Sequence, residues 1–152
     1  MLSAIQLRAL VQGIVQSNNA AKQDLGRRFA KFMGFEPGPR GPDDGIDGWL
    51  EHQGKKIHFQ CKLSAHELGK KEAQVYYAEI KRHLPDLAII LAGVGFKPGF
   101  VKCLFSFPEL APANFHLLTL KDLFQENAGF QEALKHLPAL AGLADCAQNQ
   151  GL

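Results

Sequence analysis

Three polar residues, Asp47, Gln60 and Lys62, have the types and spacing that phosphodiester chemistry uses. Asp47 offers a hard anionic oxygen of the kind that Mg²⁺ or Mn²⁺ prefers, and Gln60 offers a neutral carbonyl oxygen. Lys62 adds a compact cation that could orient or help deprotonate a water attacking a bound phosphate. The alternative is that Asp47 is a turn residue and that Gln60 and Lys62 form the solvated face of an ordinary hairpin.

A β-hairpin would bring the three side chains together. Residues 46 to 52 and 55 to 63 flank Gln53-Gly54, and a two-residue turn there pairs 52 with 55, 49 with 58 and 47 with 60. One face then carries Asp47, Trp49, Glu51, Lys56, His58, Gln60 and Lys62. The other carries Ile46, Gly48, Leu50, Ile57, Phe59, Cys61 and Leu63. A slip of one residue would turn the apolar set to the wrong side, so the pattern specifies the register.

The stretch from Asp24 to Phe124 resembles the PD-(D/E)XK nuclease superfamily, and within it the Mrr-like restriction endonucleases and archaeal-type Holliday junction resolvases. These proteins share a helix, then G-x-D-G-x-D, then a hairpin ending in QxK or ExK. The corresponding stretches here are Leu25 to Gly34, Gly41 to Asp47 and His58 to Lys62. The elements expected next also agree: a helix over residues 65 to 84, a strand from Leu87 to Gly95, a helix over 98 to 106, and a strand over 116 to 120 leading into a helix.

The resemblance implies a restriction-endonuclease-like three-layer α/β fold, with a central mixed sheet flanked by helices. It implies a metal-dependent endonuclease that hydrolyses DNA in restriction, repair or junction processing, with Mg²⁺ or Mn²⁺ as cofactor. The implied catalytic residues are Asp47, Gln60 and Lys62, and the implied metal ligands are Asp47, Gln60 and the backbone carbonyl of Cys61. The partner is expected to be DNA, with a homodimer or an accessory specificity subunit as further partners.

The sequence also departs from the family pattern. Members usually carry a Glu on the first helix, about eleven residues before the glycine that ends it, and here that position is Gln23, next to Asp24. Asp24 could substitute, or it could pair with Arg28 at i, i+4. Asp43 and Asp44 precede the hairpin, where turn formation is the favoured role. The alternative function is therefore a catalytically impaired nuclease-fold module that binds nucleic acid or a protein partner.

Composition bounds the rest of the interpretation. The 152 residues, 46% hydrophobic, suit a single domain, with an extra N-terminal helix within residues 1 to 18 and a C-terminal helix and tail over 129 to 152. The N-terminal helix either packs on the domain or forms a dimer contact. Three cysteines without CxxC spacing indicate reduced thiols and a cytoplasmic protein. No apolar run approaches the length of a membrane span.

Charge is distributed unevenly along the chain. Residues 1 to 102 hold 15 of the 17 Lys and Arg against 10 of the 15 Asp and Glu, a net charge of +5, whereas the remainder has a net charge of −3. A polyanion such as nucleic acid would be attracted to the first part.

Overall fold

The computed structural model describes residues 2–37 and 47–138. Most of the Gly41 to Asp47 motif, including Asp43 and Asp44, lies outside these residues, as do Ile46, Cys146 and the C-terminal tail. The strands are β1 (Glu36–Pro37), β2 (Gly48–His52), β3 (Lys55–Lys62), β4 (Leu87–Ala92) and β5 (Phe115–Thr119). The helices are α1 (Ala4–Val15), α2 (Asn19–Phe32), α3 (Lys70–His83), α4 (Pro98–Phe105), α5 (Leu120–Gln125) and α6 (Ala128–Leu134), and a 3₁₀ turn spans Pro112–Asn114.

The strands form one mixed sheet in the order β1-β2-β3-β4-β5. β1, β2 and β3 pair antiparallel, whereas β3, β4 and β5 run parallel. β3 is therefore the central strand and the junction between the two halves of the sheet. All six residues of β4 are buried, as expected for a strand covered on both faces.

Helices cover both faces of the sheet, and each face has its own apolar core. The first core joins β3 and β4 to α1, α2, α5 and α6, and its buried residues include Val15, Ala30, Phe59, Leu91 and Phe130. The second core joins the opposite face to α3 and α4, and it includes Ala73, Tyr76, Ile80, Ile90 and Phe100. The result is a three-layer α/β arrangement with a central mixed sheet, in agreement with the fold class expected at this level of detail.

The predicted helix over residues 65 to 84 is too long at its start. α3 begins only at Lys70, because Leu68 forms a parallel bridge with Phe96. The Leu68 N–H donates to Gly95 O at 3.0 Å, and Leu68 O accepts from the Lys97 N–H at 2.8 Å. Leu68 is fully buried, so tertiary burial outweighs the local capping signal of Ser64 to Glu67.

The N-terminal helix expected within residues 1 to 18 is present as α1. α1 packs on the domain through the buried residues Leu7 and Val15, and Val15 belongs to the first core. The predicted C-terminal helix is shorter than expected, because α6 ends at Leu134. The chain then continues in turns to Leu137, which is buried in the first core.

Candidate functional site

The β2–β3 hairpin positions the candidate residues, and its register is the predicted one. Gly48 pairs with Phe59, Trp49 with His58 and His52 with Lys55. The turn residues Gln53 and Gly54 have φ angles of 53° and 76°. Positive φ at both central positions is what a type I′ hairpin turn requires, and it matches the twist of the strands.

Asp47 lies just before β2 and does not pair with Gln60 as a ladder residue, which corrects the predicted pairing. Its N–H donates to Phe59 O at 3.0 Å, and its Oδ2 accepts from the Cys61 N–H at 2.5 Å. The carboxylate thus takes the place of a backbone acceptor where the ladder ends. This contact puts the Asp47 carboxylate against the backbone of the Gln60-Cys61-Lys62 tripeptide.

Burial is the main influence on the pKa of the Asp47 carboxyl group. Burial raises the pKa of Asp47 to about 6, against the opposing effects of the Cys61 N–H and the positive charge of Arg27. The carboxylate is mostly ionised at neutral pH, but it binds a proton more readily than an exposed aspartate. A cation near Asp47 would relieve this burial cost.

Gln60 and Lys62 lie on one face of β3, because side chains two residues apart on a strand point to the same side. This is the face that α3 and α4 cover. Gln60 is buried, whereas Lys62 is exposed at the end of the strand. The face therefore runs from a buried amide to an exposed ammonium, and the Asp47 carboxylate contacts the backbone N–H of Cys61 between them.

Cys61 has a structural thiol and a backbone that faces Asp47. A Cβ built on Gly26 of α2 would lie 3.4 Å from Cys61 Sγ, and Cys61 packs against the first core. Burial raises the pKa of the Cys61 thiol, and the nearby Asp47 adds to this effect. Because the N–H and C=O of a strand residue point to the same side, the Cys61 carbonyl also faces the Asp47 side of β3.

Two residues of α3, Glu72 and Tyr76, were missed by the sequence analysis. Glu72 Oε2 accepts from the Gly69 N–H at 2.8 Å, which lowers the pKa of Glu72, and the positive charge of Lys62 lowers it further. Burial raises the pKa of Tyr76, and negative charge at Cys61, Asp47 and Glu72 adds to the shift. The signal in the sequence was their i, i+4 spacing on the helix that follows the QxK strand.

The helix preceding the hairpin does not bring a second carboxylate to Asp47 through Asp24. Asp24 Oδ2 pairs with Arg28 Nε at 3.1 Å, and both side chains are exposed on α2. Gln23 is exposed as well. The surface role predicted for Asp24 as the alternative is therefore confirmed.

The donor set is chemically suited to a hard cation but carries little charge. The Asp47 carboxylate, the Gln60 amide and the Cys61 carbonyl are the oxygen donors that Mg²⁺ and Mn²⁺ accept. Across residues 2–37 and 47–138, no three His, Cys, Asp or Glu side chains are grouped so that they could hold a metal ion. A cation bound here would need further oxygens, such as those of a phosphate.

Comparisons with known proteins do not assign this chain to a family. No protein-family model matches this sequence, and no curated protein and no solved structure is significantly similar to it. Within the part of the chain that the structure describes, no helix has the length and apolar character needed to cross a membrane.

Proposed function

We propose that this protein is a metal-dependent endonuclease that hydrolyses DNA phosphodiester bonds. The observation that carries the proposal is the contact of the Asp47 carboxylate with the Cys61 N–H, a partly buried anionic oxygen held against the backbone of the Gln60-Cys61-Lys62 tripeptide. A carboxylate whose pKa is raised by burial, held against the backbone of a strand end that carries an exposed lysine, is an arrangement that stability alone does not require.

Each residue has a distinct role in the proposed reaction. Asp47, the Gln60 amide and the Cys61 carbonyl would hold Mg²⁺ or Mn²⁺, and the bound cation would supply Lewis-acid polarisation of the phosphoryl group. Lys62 contacts the reacting phosphate and orients the attacking water. Glu72, whose carboxylate accepts from the Gly69 N–H, lies close enough to Lys62 for the two charges to interact.

The test is cleavage of labelled duplex, nicked and branched DNA with Mn²⁺ or Mg²⁺, comparing the parent with Lys62→Ala. We expect Lys62→Ala to reduce cleavage by at least about 100-fold, because the interaction is made with the reacting group. Its thermal unfolding should be unchanged, since the Lys62 side chain is exposed. Lys135→Ala is the matched control, because it removes an exposed lysine that pairs only locally, with Glu132. Equal cleavage by the parent and Lys62→Ala would place the chemistry elsewhere.

A second candidate function is a binding module on the same scaffold, and the Asp24–Arg28 ion pair favours it. With Asp24 paired on the surface and Gln60 uncharged, Asp47 is the one carboxylate among the proposed metal ligands in the part of the chain that the structure describes, where a nuclease commonly uses more. DNA binding without cleavage in either metal, together with an unfolding temperature that Mn²⁺ does not raise, would support this candidate over the nuclease.

A further inference from the structure

Trp49, the single tryptophan of the chain, lies in the middle of β2 and is 46% exposed. The large residues of α3 cover the neighbouring strands, since Tyr76 and Ile80 pack with Ala88 and Ile90 of β4. Among residues 2–37 and 47–138 none buries the same face above β2, since Glu51 is exposed as well as Trp49. A rigid aromatic ring thus lies on an open part of the sheet beside the candidate site.

We propose that the Trp49 indole is a stacking platform for an unpaired nucleobase adjacent to the phosphate held at Asp47. The inference rests on the proposed function and specifies its substrate: nucleic acid with a single-stranded or extruded nucleotide at the site. Stacking on aromatic side chains is the usual way in which proteins hold unpaired bases, because every base has a π face.

The position of Trp49 on β2, close to Asp47, supports its proposed role as a stacking platform. Trp49 follows Asp47 by two positions, which is roughly 7 Å along an extended chain and about the size of one nucleotide. Trp49 pairs directly with His58, so it lies on the same face as Gln60 and Lys62. A nucleotide whose phosphate is at Asp47 can therefore place a neighbouring base on the indole.

The charges around the ring favour a base over a phosphate backbone. Glu36 of β1 pairs with Trp49, and Glu51 follows it by two residues on the same face. Ionised carboxylates are acceptors only, so they repel phosphates but accept hydrogen bonds from the amino groups of bases. On this face the two ends of β3 carry Lys56, which pairs with Glu51 and whose ammonium donates to His83 O at 2.9 Å, and Lys62. The lysines at the ends of β3 therefore favour phosphates, and the surface around Trp49 between them favours a base.

A cationic side chain of a protein partner is the competing ligand, because cation–π contact also suits an exposed tryptophan flanked by carboxylates. The lysines at both ends of β3 oppose it, since they would repel the rest of a basic peptide. The adjacency of Trp49 to a candidate phosphate site likewise favours the nucleobase.

The experiment uses Trp49 as its own reporter, with the full chain and with Ca²⁺, a divalent cation that oxygen ligands bind, so that a phosphate can be held at Asp47 and binding is read without reference to cleavage. Emission is excited at the red edge, where tyrosine does not absorb, and the protein is titrated with a single-stranded cytosine oligonucleotide, a duplex of equal length and an abasic strand with the same phosphates. We expect the cytosine strand to quench the emission and the duplex and abasic strands to quench it far less.

Labelled-oligonucleotide anisotropy then compares variants. Trp49→Ala should weaken binding of the single strand about tenfold, and Trp49→Phe should restore most of it. Val75→Ala, which truncates an exposed apolar residue of α3, is the matched control and should bind as the parent does. Equal quenching by all three strands, no quenching by any, or quenching by an arginine-rich peptide alone would overturn the inference. The proposed function fails separately, through absent cleavage in the metal assay, even if single-strand quenching is observed.

Discussion

Asp47 has a structural role in the hairpin in addition to the chemical role proposed for it. Its carboxylate completes the hydrogen bonding of the Cys61 N–H at the end of the β2–β3 ladder, yet burial raises its pKa to about 6. A neutral amide could accept the same hydrogen bond without the burial cost of a charge. A carboxylate at this position therefore lowers the stability of the fold at neutral pH, which is the pattern expected of a residue retained for function.

We predict that Asp47→Asn is more stable than the parent at pH 8, by about 1 to 3 kcal/mol. The folded-state pKa is raised from 3.8 to about 6, so between these pH values the folded state binds more protons than the unfolded state. The parent therefore loses stability from this group as the pH rises through that window, and the variant does not. Urea unfolding at pH 4 and pH 8 measures the difference, which should be small at pH 4.

Asp24→Asn provides the control for this prediction, since it removes a carboxylate that is exposed on α2. Its stability relative to the parent should be nearly independent of pH over the same range. If Asp47→Asn behaves in the same way, the Asp47 carboxylate is not buried as described. Loss of cleavage in Asp47→Asn together with increased stability would show that the carboxylate which lowers the stability of the fold is also required for the reaction.

At the scale of elements, a close approach of α2, β1 and β2 determines where Asp47 lies. A Cβ built on Gly48 would be 2.8 Å from Phe35 Cβ and 3.2 Å from Ala30 Cβ. Phe35 also stacks on Phe59 of β3, with ring centroids 5.3 Å apart. The absence of a side chain at Gly48 lets the hairpin pack against the end of α2, and this packing sets the position of the residue next to it.

We predict that Gly48→Ala destabilises the protein by about 1 to 3 kcal/mol, because the added methyl group has no space without a backbone shift. The melting temperature should fall by roughly 2 to 4 °C per kcal/mol. Gly13→Ala is the matched control: Gly13 lies within α1 and a Cβ there meets nothing within 4 Å, so this variant should be neutral or slightly stabilising. A Gly48→Ala variant as stable as Gly13→Ala would contradict the close packing described.

At the scale of the whole molecule, α1 is part of the domain. Its buried side chains Leu7 and Val15 face the domain, whereas Ile5 on the same helix is 83% exposed. The sequence left open whether this helix packs on the domain or forms a dimer contact, and the packing of Val15 in the first core favours the former.

We predict that Leu7→Ala lowers the free energy of unfolding by about 2 kcal/mol, because it leaves a cavity between α1 and the domain. Ile5→Ala should change it by less than about 0.5 kcal/mol. The measurement is urea unfolding at two protein concentrations. A loss of stability in Ile5→Ala that depends on concentration would show instead that the exposed side of α1 is a contact between two copies of the chain.

Much of the local structure was predictable from sequence, because it follows from short-range patterns. The alternation of apolar and polar residues specified the hairpin register, and the apolar run at Leu87–Ala92 indicated a strand covered on both faces. Gln60 and Lys62 share a face for the same reason, since the period of a strand is two residues. Asp24 and Arg28 pair because they lie one helical turn apart.

What the tertiary structure decided depends on contacts between residues distant in sequence. The start of α3 was displaced to Lys70 by the pairing of Leu68 with Phe96, which a local capping signal does not reveal. Tyr76 of α3 lies near enough to Asp47 and Glu72 for their charges to raise its pKa, a proximity that depends on the packing of α3 on the sheet. Asp47 is not paired in the β2–β3 ladder, and its carboxylate accepts a hydrogen bond from the Cys61 N–H instead. The sequence determined which side chains share a face, whereas burial and long-range pairing determined how they are solvated and which groups they meet.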